Sequence, residues 1–99
     1  MITKEPYPDG KQMRVTFELP SSIWAERVNL VGDFNDWDTA ANEMRQSRTD
    51  GAWRITLTLP AGREYQFRYL VNGRDWHNDW HADRYAPNLY GTDNSVVKT

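Results

Sequence analysis

Trp37, Trp76 and Trp80 each sit among Asp, Asn and His, in or beside turns, and out of phase with the apolar faces of neighbouring segments. A buried tryptophan needs a partner for its indole N–H and a dry wall for its ring. Polar loops supply the first easily and the second poorly. One reading is that these rings fold back to cap the molecule. The other is that they stand in water as a binding surface. Exposed flat rings beside Asn, Asp and Arg suit sugars: a pyranose has an apolar C–H face that stacks on an aromatic ring and a rim of hydroxyls that needs amide, carboxylate or guanidinium partners. Binding sites in general combine an apolar surface with a few placed polar groups. The polar candidates are Asn35, Asn94, Asp79 and Arg68.

The same stretches bear on two further chemistries. Asp33, Asp36 and Asp38 offer carboxylates, and glycoside hydrolysis needs two of them across a cleft. A chain of this size has no room for a deep cleft, and neither a G-x-S-x-G block nor a phosphate-cradling glycine loop is present. Asp33 and Asp36 are expected to cap their turn by accepting backbone N–H bonds. "HNDWHAD" spaces His77 and His81 four apart, with Asp79 and Asp83 nearby, which on a helix would make a pair of metal ligands. Pro87 and the preceding turn argue against a helix, so no metal is expected, and no cofactor. "DFNDWD" is not a calcium loop, because the glycine at the sixth position and the distal glutamate are missing.

The elements that must position these side chains are strands. In "KQMRVTFELP", Met13, Val15, Phe17 and Leu19 alternate with Arg14, Thr16 and Glu18, a half-buried strand ended by Pro20. Arg27 to Val31 reads as a second strand, and Glu43 to Gln46 as a short candidate. Asp50-Gly51 signals a hairpin. In "AWRITLTLP", Trp53, Ile55, Leu57 and Leu59 share a face, so Trp53 is read as core; Trp24 is read as a core lid. In "REYQFRYLVNG", Tyr65, Phe67, Tyr69 and Val71 face one way and Gln66, Arg68 and Leu70 the other. Asn72-Gly73 is the strongest hairpin signal in the chain. "WHADRYAPNLYGTDN" reads as a loop-rich stretch before a closing strand, Ser95 to Lys98. Six to eight short antiparallel strands with turns every eight to twelve residues predict an all-β sandwich. Residues 1–10, with two prolines and a glycine, are expected to be a flexible arm, and 11–99 the domain.

The chain's 99 residues suit one domain. A net charge of −2 with scattered Lys and Arg gives no nucleic-acid or anionic-membrane footprint. The absence of cysteine removes disulfides and thiolate metal sites. No apolar signal core or bilayer-length run occurs, so a cytoplasmic monomer is the expectation.

"VNLVGDFNDWD", "GREYQFRYLVNGRDWHND" and "YGTDNSVV" resemble, in order and spacing, the family-48 carbohydrate-binding modules. These include the glycogen-binding domain of the AMP-activated protein kinase beta subunit and the N-terminal early-set domains of isoamylases and branching enzymes. The resemblance runs from about Arg14 to Lys98. It implies an immunoglobulin-like β-sandwich and an α-1,4-linked glucan such as glycogen or starch as ligand. Trp37 matches the first stacking tryptophan of the kinase-subunit module and Trp76 the second. Arg68 stands where that module has a lysine, Asn94 matches its glucan-bonding asparagine, Thr92 a threonine beside it, and Tyr90 replaces a leucine. "NGRDWHND" is one residue longer before its tryptophan than the kinase-subunit pattern, and "WHADRYAPN" adds Trp80 and Tyr85. Some relatives keep the fold as a packing domain, so docking onto a glycogen-metabolism enzyme, with little sugar binding, stays open as the alternative.

Overall fold

The computed structural model describes all residues from Met1 to Thr99, which form nine strands in two sheets. The strands are β1 (Ile2–Pro6), β2 (Gln12–Leu19), β3 (Val28–Gly32), β4 (Arg45–Gln46), β5 (Trp53–Pro60), β6 (Glu64–Val71), β7 (Asp75–His77), β8 (Arg84–Pro87) and β9 (Asp93–Lys98). One sheet runs β1-β2-β5-β4; the other runs β3-β6-β9-β8, with β7 also paired to β6. All pairings are antiparallel. This is an immunoglobulin-like β-sandwich of the early-set type, the class the alternating segments predict.

The alternation explains the core. Val15, Phe17 and Leu19 from β2 meet Val28 and Leu30 from β3 and Phe67, Tyr69 and Val71 from β6, all buried. Phe17 and Phe67 pack edge to face across the two layers, ring centres 5.0 Å apart, a favoured geometry that adds to the burial energy of each ring. Trp53 is buried with them, as its phase with Ile55 and Leu57 requires. Its Nε1 is sealed without a partner, a cost of placing an indole in a dry layer.

Three stretches differ from the sequence reading. The expected flexible arm contains a strand: Ile2 to Pro6 pair with Phe17 to Met13, because the side of β2 away from β5 offers backbone groups that need partners and a proline is tolerated on the edge strand. Trp24 is no core lid; it is 75% exposed, since Pro20 to Ala25 form an outer turn and Ile23 takes the inward position. The "WHADRYAPN" stretch is not all loop: Arg84 to Pro87 pair with Val96 to Asp93.

The central strand of the second sheet is β6. Phe67 to Val71 pair with β3 on one side. On the other side Glu64 to Phe67 pair with β9 and Tyr69 to Val71 with β7. Cross-strand partners share a face, so Arg68 and Leu70 look outward with Trp76, Asn29 and Val31. The outer face of this sheet carries the candidate site.

Candidate functional site

The loop that presents Trp37 is built by side chain to backbone bonds. After β3 the chain makes one turn of 3-10 helix, Asp33–Asn35. Asn35 closes it: its Oδ1 accepts the Gly32 N–H at 3.1 Å, and its Nδ2 donates to the Leu30 carbonyl at 2.9 Å and to Asn42 Oδ1 at 2.8 Å. Asp36 and Trp37 then both take left-handed backbone, φ 56° and 58°. Two successive non-glycine residues there are unfavourable, and such strain gathers at functional loops. The Trp37 Nε1–H donates to Asp33 Oδ1 at 2.9 Å. Asp33 Oδ2 accepts the Gln66 N–H of β6 at 2.7 Å. Asp33 does cap a backbone N–H, but one on the neighbouring strand; Asp36 caps none.

Trp76 stands on β7, opposite Leu70 of β6. The hairpin between paired Val71 and Asp75 holds Asn72, Gly73 and Arg74, with φ 56° at Asn72 and 67° at Gly73. Trp76 takes the outward face, 41% exposed. The third wall is the β8–β9 hairpin. Asn88 organises it: its Oδ1 accepts the N–H groups of Tyr90 and Thr92, and its Nδ2 donates to Thr92 Oγ1 and Asn94 Oδ1. Asn94 Nδ2 in turn donates to Gln66 Oε1 at 3.1 Å.

These three walls enclose one open groove of about 610 Å³, lined by Trp37, Arg68, Trp76, Asn88, Tyr90, Thr92 and Asn94. That is within the range of roughly 300–1,000 Å³ usual for small-ligand sites. Every residue matched to the kinase-subunit module is there. Arg68 lies between the two indoles' supporting elements and forms no salt bridge; its Nε is buried with no hydrogen-bond partner. A guanidinium so placed is a donor awaiting oxygen acceptors. No carboxylate lines the groove.

Asn88 was missed in the sequence, and the "PNLYG" turn was its only signal. Two expected polar candidates are elsewhere. Asn35 is spent on the Trp37 loop. Asp79 is buried under the sandwich, where Oδ2 accepts the Tyr69 hydroxyl at 2.6 Å; burial and the Asp79 charge push the Tyr69 phenol well above its ordinary value. Trp80 and His81 border a small separate crevice with Glu18 and Pro20. Tyr85 pairs with Ser95, and so faces away from the side on which Asn94 lies. Asp83 accepts from Lys4 and from the Lys98 N–H, so the "HNDWHAD" carboxylates serve separate structural contacts.

The class is that of a small early-set β-sandwich with an aromatic groove on one outer sheet face. The particular family is settled by sequence: residues 6–86 match the model for carbohydrate-binding module 48 (isoamylase N-terminal domain), and the chain belongs to that family. It is 38% identical over 71 residues to a 1,4-alpha-glucan branching enzyme GlgB of Butyrivibrio fibrisolvens, covering 66% of this chain and 10% of the enzyme. The GlgB of Thiobacillus denitrificans is 36% identical over 73 residues, 70% of this chain and 10% of the enzyme. The chain therefore spans about a tenth of the length of these relatives. In fold alone it is similar to the enterobactin esterase FES of Shigella flexneri, with a TM-score of 0.77 at 14% identity, over 98% of this chain and 32% of that one. The ferric enterobactin esterase of Salmonella typhimurium gives 0.77 at 15% identity, over 98% and 33%. No helix is long and apolar enough to cross a membrane.

Proposed function

We propose that the groove binds an α-1,4-linked glucan such as glycogen, starch or a maltooligosaccharide, and that the domain itself is not catalytic. The observation that carries this reading is the joint placement of Trp37, Trp76 and the partnerless Arg68 around one groove. The rings offer flat apolar faces to the C–H sides of glucose units. Arg68, Asn94, Thr92 and Asn88 meet the hydroxyl rim, and Tyr90 closes the side of the groove. Rings on separate walls favour a curved chain over a flat one. The groove has no carboxylate pair to cut a glycosidic bond. Family membership and the branching-enzyme relatives support the same ligand class. Each ring hides little area, so affinity for a short oligosaccharide is expected in the range of about micromolar to millimolar.

The test is tryptophan fluorescence titrated with maltoheptaose, with glycogen co-sedimentation as a coarser check. Emission should move and saturate, and a Trp37→Ala, Trp76→Ala double variant that keeps its fold should lose the response. A folded wild-type protein that shows no response and no glycogen binding overturns the reading.

The second reading is a packing domain that docks on a larger enzyme. Its support is the exposed Trp24 in the β2–β3 connection and the small share of the branching enzymes that this chain covers. It predicts intact folding with no glucan response.

A further inference from the structure

The outer face of the second sheet does not end at Trp76. A second depression of about 400 Å³ lies beyond it, lined in part by Arg27, Asn29, Thr39, Glu43 and Leu70. Two of the main groove's three walls lead towards it. Leu70 follows Arg68 by two residues on the same face of β6, about 7 Å along the strand, and is the direct cross-strand partner of Trp76 on one side and of Asn29 on the other. Thr39 lies two residues beyond Trp37 on the same loop.

The chemistry of this depression is complementary to that of the first. It has no aromatic ring; Leu70 gives it a small apolar floor. Arg27 and Glu43 bring opposite charges, and neither is in a salt bridge. The Arg27 head lies over Gly73, where an added Cβ would meet its Nη2 at 2.5 Å, so glycine at that turn is what leaves room for it. Asn29 donates through Nδ2 to the Ala41 carbonyl at 3.0 Å, and its Oδ1 accepts no bond from the protein. An anion would meet Glu43 and a cation would meet Arg27. A neutral ligand rich in hydroxyls uses both, because each hydroxyl donates and accepts.

Resting on the glucan reading above, we propose that this depression is a second subsite, which takes the glucose units following those stacked on Trp37 and Trp76. The main groove grips by stacking; the second subsite reads the hydroxyl rim of a chain long enough to pass Trp76. Ligand length, rather than ligand identity, is what it senses.

The experiment is calorimetric titration of the full chain with maltotriose and maltoheptaose. The wild type is expected to bind the longer ligand about tenfold more tightly. An Arg27→Ala, Glu43→Ala variant should keep the maltotriose affinity and lose that gain. Both side chains are exposed, so the fold should tolerate it. Ala40→Arg, which fills the depression and leaves both charges, should do the same. Equal affinity of the wild type for both ligands, or a gain that survives both variants, overturns the subsite and leaves the main groove standing. A wild type that binds neither ligand overturns both.

Discussion

Asp33 fastens Trp37 to the sheet. One carboxylate oxygen accepts the indole Nε1–H at 2.9 Å and the other accepts the Gln66 N–H at 2.7 Å. The ring is therefore set by β6 through a single side chain rather than by the loop alone. Asp33→Ala should weaken maltoheptaose binding about five- to tenfold, as the ring gains freedom it must lose on binding. It should cost only about 0.5–1.5 kcal/mol of stability at this exposed site. Asp33→Asn, which keeps one acceptor, should fall between. Paired calorimetry and thermal melts check this; unchanged affinity for the alanine variant refutes the positioning role.

Gly32 ends β3, paired with Phe67 of β6, and the Trp37 loop starts from it. A Cβ there would meet the Gln66 carbonyl oxygen at 2.5 Å and Phe67 Cβ at 2.7 Å, backbone and core that cannot swing aside. Gly32→Ala should lose roughly 1–3 kcal/mol. At about 4–8 °C per kcal/mol for a domain of this size, a clear drop in Tm follows. Glucan affinity should fall with it, because Asp33 and Trp37 are displaced together.

Asp36 holds left-handed backbone, φ 56°, with its side chain exposed. It accepts no backbone bond that would repay the strain. Asp36→Gly should raise stability by up to about 1 kcal/mol and leave the groove unchanged. A higher Tm with unaltered maltoheptaose affinity is the expected result.

Tyr69 and Asp79 form a buried pair remote from the groove. Tyr69→Phe leaves a sealed carboxylate short of a donor and should cost about 1–3 kcal/mol. Burial first, then the Asp79 charge, raises the phenol's pKa, so the folded state holds this proton more firmly than the unfolded chain. Its contribution is intact below the ordinary tyrosine value of about 10 and is lost as the pH rises above it. Denaturant titrations from neutral to strongly alkaline pH should show wild-type stability falling there, and Tyr69→Phe should remove that part of the slope.

The sheets were legible in the sequence because their period is legible. Val15, Phe17 and Leu19, or Phe67, Tyr69 and Val71, alternate without interruption, and the side chains between them announce the outer face on which Arg68 lies. Trp37, Trp76 and Asn94 were each legible as a ring or a polar group in a turn-rich stretch; that they meet was legible only through the resemblance of whole blocks, since no spacing rule brings residues of three separate segments together. What escaped was fixed by tertiary partners. β1 carries two charged residues and a proline in five positions, and exists because β2 has an open edge. Arg84 to Pro87 became a strand because β9 needed a neighbour. Asn88 looked like any turn asparagine; its value comes from reaching Asn94 and Thr92 across a hairpin. Asp79 read as a loop carboxylate, and Tyr69 drew it inside.

Every wall of the groove hangs from β6. β3 leads into the Trp37 loop, β7 carries Trp76, and β9 brings Asn94, and each is hydrogen-bonded to that one strand. Such a surface is a shelf and not a jaw. On the proposed reading it has no jaw to shut and little free energy to spend on rearrangement, so a glucan should arrive and leave rapidly, in fast exchange on the timescale of magnetic resonance. A protein working along a long polymer gains from that, since it can step from one stretch to the next without waiting for anything to open.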